Sequence, residues 1–76
     1  MTNTALLLEY IRNSGLKKSF LCEKLGLSRA GFWKKVENIT EFKPSEINVL
    51  CKLLGINELL EKERVFFAEE VADKAT

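Results

Sequence analysis

The stretch LCEKLGLSRAGFWKK, from Leu21 to Lys35, decides how this chain folds. A glycine inside a helix costs about 1 kcal/mol against alanine, so Gly26 marks a helix end, where the backbone must leave the α region. Before it, Leu21, Cys22 and Leu25 share one face of a short helix over residues 17–25. After it, Ser28 is a good N-cap for a helix through Glu37, on which Phe32 and Val36 form an i, i+4 apolar pair. With Gly26 at positive φ, Leu27 tucks under the turn into the core.

The flanking sequence extends the same pattern. Asn3 or Thr4 caps a first helix through Asn13, with Leu7, Tyr10 and Ile11 facing inward and Ser14-Gly15 ending it. A loop over 38–43 leads to Pro44, and Ser45 is expected to cap a fourth helix carrying Ile47, Leu50, Cys51 and Leu54. Gly55 stops that helix, and Asn57 is expected to cap a fifth through Lys62. The Val65–Phe67 run is too short for periodicity to separate helix from strand; we expect an irregular or extended segment packing back on the domain. Residues 1–71 form one all-α domain in this reading, followed by a frayed tail over 72–76.

Composition narrows the function. The chain has 76 residues, 46% of them hydrophobic and 30% charged, which suits one small globular domain. No apolar run is long enough to span a bilayer and no secretory leader is evident, so a cytoplasmic location is expected. There is no histidine, and Cys22 and Cys51 lie 29 residues apart with no CxxC pair. That pattern leaves no common zinc spacing and no histidine base; both cysteines are expected as buried, unbridged hydrophobes. No metal, cofactor or catalytic residue is expected.

The net charge of +1 hides an asymmetry. Residues 1–36 hold seven basic and two acidic side chains, a net +5, whereas residues 37–76 hold five and nine, a net −4. A basic half that contains the Leu21–Lys35 stretch points to a polyanionic partner.

Two short helices joined by a three- or four-residue glycine turn make a helix-turn-helix. LKKSFLCEKLGLSRAGFWKKVEN followed by FKPSEINVLCKLLGI resembles the Cro/C1-type (Xre-family) helix-turn-helix of phage repressors and related bacterial regulators. The resemblance covers roughly Leu7 to Leu60 and implies a compact, lambda-repressor-like bundle of about five helices. It also implies that the second helix crosses the DNA backbone while the third lies in the major groove. Carried over by position, Ser28, Arg29, Ala30, Trp33 and Lys34 would read base edges, and Lys17, Lys18, Ser19, Asn38, Thr40 and Lys43 would touch phosphates. Lys35 joins that phosphate set through its charge, although many members bury an aliphatic residue there. A glutamine frequent near the start of the second helix is replaced by the Lys17-Lys18 pair.

The chemistry suits those roles. The guanidinium of Arg29 can pair bidentately with guanine O6 and N7, and Ala30 can meet a thymine methyl. Gly31 would permit close approach of a neighbouring backbone. Trp33 either flanks the groove or folds over Phe42. The expected function is a sequence-specific, double-stranded DNA-binding transcription regulator of phage or prophage repressor type, acting on a palindromic operator as a homodimer. The alternatives are an antitoxin-like DNA-binding subunit whose main partner is another protein, and a helical protein-interaction module that does not bind DNA. Any dimer would use C-terminal elements such as Leu59, Phe66, Phe67 and Val71.

Overall fold

A computed structural model describes residues 1–69. They form five helices and, among the described residues, no strand: α1 (Thr4–Ser14), α2 (Lys18–Leu25), α3 (Arg29–Val36), α4 (Pro44–Leu54) and α5 (Leu59–Phe66). Val71 and the tail expected to fray lie outside the described residues.

Local chemistry accounts for most helix ends. The Asn3 side-chain oxygen accepts from the Leu6 N–H at 3.1 Å and opens α1. Gly26 closes α2 at φ +71°, its N–H donating to the Glu23 carbonyl while the Leu27 N–H donates to that of Cys22. This paired arrangement is the Schellman end, and it needs the left-handed backbone that glycine adopts without penalty. Leu27 is half-buried against the core beneath it. Ser28 then opens α3, its Oγ accepting from Gly31 N–H at 3.0 Å.

Three starts differ from expectation, that of α2 by one residue, because Lys17 is its cap rather than its first helical residue. α4 begins at Pro44, with Lys43 in the cap position, rather than after Ser45. Proline at the first helical position loses an N–H that has no partner there anyway. The carboxylate of Glu46, one turn in, accepts the Lys43 N–H at 2.8 Å, so the cap comes from inside the helix. α5 begins after Glu58, not Asn57, and runs to Phe66, so Val65 and Phe66 are helical rather than extended. Burial explains the difference: both side chains are inside the core, and α5 packs on α1.

Leu7, Leu21, Phe32, Val36, Leu50 and Val65 form the fully enclosed centre, contributed by all five helices. α4 packs against α2 and α1, and α1 against α5. Phe42, in the loop before α4, meets Phe32 edge-on at 6.3 Å and Phe66 at 5.8 Å, so an aromatic chain links α3 to α5. Tyr10 is half-buried, its hydroxyl donating to Glu61 of α5. Cys22 and Cys51 are both buried and unbridged, as expected.

The first three residues form a strap across this core. Ala68 N–H donates to the Met1 carbonyl and Asn3 N–H to that of Val65, tying the strap to the end of α5. Thr2 exchanges two hydrogen bonds with the Asn38 side chain, tying the strap to the end of α3, and beside it Thr4 Oγ1, at the start of α1, donates to the Val36 carbonyl. Asn38 itself is left-handed at φ +65°, a conformation asparagine tolerates better than most residues.

Candidate nucleic-acid interface

α3 turns Phe32 and Val36 into the core, which leaves Ser28, Arg29, Ala30 and Lys34 exposed. Trp33 lies between these faces, half-buried. It meets Phe32 edge-on at 6.5 Å, and the Lys18 ammonium lies 5.0 Å from its ring centre. A cation over an indole face is an attractive arrangement, so α2 and α3 are linked at the surface as well as through the core. Phe42 pairs with Phe32 and Phe66, not with Trp33, so of the placements open to the indole, folding over Phe42 is not the one adopted.

Five of the sequence-predicted residues converge on one open cleft of about 660 Å³: Lys17, Lys18, Ser19, Arg29 and Trp33. Leu8, Ile11 and Leu16 supply its apolar surface, and Arg12 completes its wall. Sequence reading missed Arg12. It sits in the last turn of α1, where a basic residue is ordinarily explained by the helix dipole alone. The signal that could have found it is its distance from Lys17, since a single tight turn separates them.

The ion pairs explain why this side is electropositive. Among the described residues, carboxylates pair only with Lys35 and Arg64. Arg12, Lys17, Lys18 and Arg29 therefore bring to the cleft four cations that have no carboxylate partner among the described residues.

Other predicted residues are placed differently. Asn38, Thr40 and Lys43 lie beyond the far end of α3 and do not line the cleft. Thr40 and Lys43 are exposed, whereas the Asn38 amide is committed to Thr2. Lys35 is corrected outright as a phosphate contact. Its ammonium lies 2.7 Å from Glu46 Oε1, and the two side chains are only 12% and 10% exposed. The position stays interior, as an aliphatic would, with the lysine charge met by a carboxylate from α4. Burial is the largest influence on the Glu46 carboxyl and would raise its pKa. The Lys35 ammonium and the Lys43 N–H together outweigh it and hold the carboxyl below its ordinary value.

Gly31 is corrected too. A Cβ there would lie 3.2 Å from the capping Ser28 Oγ, and no neighbouring backbone approaches. Gly31 thus leaves room for the cap.

The described residues contain no group of three or more Cys, Asp or Glu side chains placed to hold a metal ion. No helix among them is long and apolar enough to cross a membrane. Comparison with protein-family models, with curated proteins and with solved structures finds no match for this chain.

Proposed function

We propose that this chain is a sequence-specific, double-stranded DNA-binding transcription regulator, of the repressor type found in phage and prophage, working in the cytoplasm without catalysis. α3 is the reading helix and α2 the helix that rests on the backbone, the two forming a helix-turn-helix. One observation carries the reading: the exposed N-terminal half of α3 adjoins a cleft that collects four cations from α1, α2, α3 and the α1–α2 connection, none paired with a carboxylate among the described residues. Arg29 and Ala30 then face base edges, with Ser28, Trp33 and Lys34 flanking them, while Arg12, Lys17 and Lys18 neutralise phosphates and the Ser19 hydroxyl donates to one. Thr40 and Lys43 extend the phosphate track beyond α3. Affinity from so small a module calls for two copies on palindromic half-sites about one helical turn apart.

A second reading, an antitoxin-like subunit with a protein as its main partner, draws on exposed apolar side chains at and just beyond α5. Leu59, Leu60 and Phe67 are exposed, whereas Phe66, also expected at a dimer contact, is buried in the core. The same three side chains serve a homodimer in the first reading.

Selection from a random duplex library, followed by gel shift across a salt series, tests the proposal. Enrichment of a palindromic site with a steep loss of affinity on adding salt is expected. Recovery of no preferred sequence, with equal binding to all duplexes, would rule out sequence-specific regulation.

A further inference from the structure

The cleft is better built than phosphate contact alone requires. A phosphodiester needs donors and charge, and four cations supply those. It has no use for the apolar surface of Leu8, Ile11 and Leu16, or for the indole wall of Trp33. Together these make an open concavity of ligand size whose lining is part apolar and part cationic. α2 adds donors: its cap residue is Lys17, which offers no side-chain acceptor, so the first amides of the helix remain available.

We infer that this cleft binds a small organic anion with an aromatic body, its ring packed on Trp33 and the leucines and its anionic group held by Arg12, Lys17, Lys18 and Arg29. The inference stands on the shape and lining of the cleft, not on DNA binding. If the proposed function holds, such a ligand covers Lys17, Lys18 and Arg29 and competes with the duplex, which makes it an antagonist of operator binding.

Trp33 is the only tryptophan, so its indole Nε1–H gives a single resonance at the site. The full chain, without DNA, is titrated with phenyl phosphate at constant ionic strength while that resonance and the Lys18 and Ser19 amides are followed. A saturable shift with a midpoint of about a millimolar is expected for a ligand of this size. Inorganic phosphate and phenol, each lacking one half of the chemistry, are expected to bind at least about tenfold more weakly. Arg12→Gln is expected to weaken phenyl phosphate several-fold, and Lys52→Gln, on α4 outside the cleft, to leave it unchanged. Absence of saturation would overturn the inference, as would inorganic phosphate matching phenyl phosphate or the two variants behaving alike. A duplex that fails to bind bears only on the regulator reading; a failed titration bears only on the cleft.

Discussion

Replacing Gly26 isolates one local energy. A Cβ built there meets nothing within 4 Å, so the whole cost of a side chain is the φ of +71°. Gly26→Val should lower stability by about 1–3 kcal/mol, and Gly26→Asn by less, because asparagine visits the left-handed region more readily. Denaturant midpoints of both variants check this; a valine variant as stable as the parent would contradict it. The cysteines report on the core in the same way. Both thiols are buried, and burial pushes the Cys51 thiol above its ordinary pKa, so thiol reagents should modify neither until the domain opens. Rapid labelling in native buffer would count against that packing. Gly26, Ser28 and the cysteines were legible in the sequence because each role is set by neighbours within a few residues. Asn38 was not: its partner Thr2 is 36 residues away.

At the scale of elements, the Lys35–Glu46 bond joins the last turn of α3 to the first turn of α4. Removing one partner strands the other charge in a nearly closed site, so Glu46→Gln should cost about 3 kcal/mol. Glu46 also sets an acid limit. Its carboxyl is held below the ordinary value of about 4.3, so its contribution is complete above that pH and lost as pH falls through the lower folded value. Stability measured from pH 6 down to pH 3 should therefore fall less steeply in Glu46→Gln than in the parent, and parallel curves would refute the assignment. This pair was illegible because its two residues sit on different helices, and a lysine beside Lys34 reads as one more surface charge. The helical state of Val65 and Phe66 escaped for a related reason. Only the neighbouring helices tell a short apolar run which periodicity to follow.

At the scale of the whole molecule, the proposed function turns on how charge and base reading divide. Arg29→Ala should cost about 1–3 kcal/mol on the preferred site and relax preference at one base pair of each half-site. Lys18→Ala should weaken all duplexes similarly and make the salt slope shallower by about 1. Because Lys18 also lies over Trp33, that variant should in addition shift the indole resonance in the absence of DNA. Lys35→Ala should leave the salt slope unchanged while lowering stability. Titrations of the three variants against the selected and a scrambled duplex, at several salt concentrations, separate these outcomes. If Arg29→Ala weakens both duplexes in the same proportion, Arg29 is a backbone contact and α3 is set differently on the groove.

The strap at residues 1–3 has a consequence in time rather than in space. Its bonds join residues 36 to 67 positions apart, so they close some of the largest loops in the molecule, and closing such loops is entropically costly until the helices are packed. The strap should be the last part to assemble and the first to open. Hydrogen exchange at the Thr2, Asn3 and Ala68 amides should then proceed through a local event of lower free energy than global unfolding, while the amides of Leu50 and Cys51 wait for the whole domain. Each such opening releases the Asn38 side chain from Thr2, so the rate at which these three amides exchange is a clock for that release just past the end of α3.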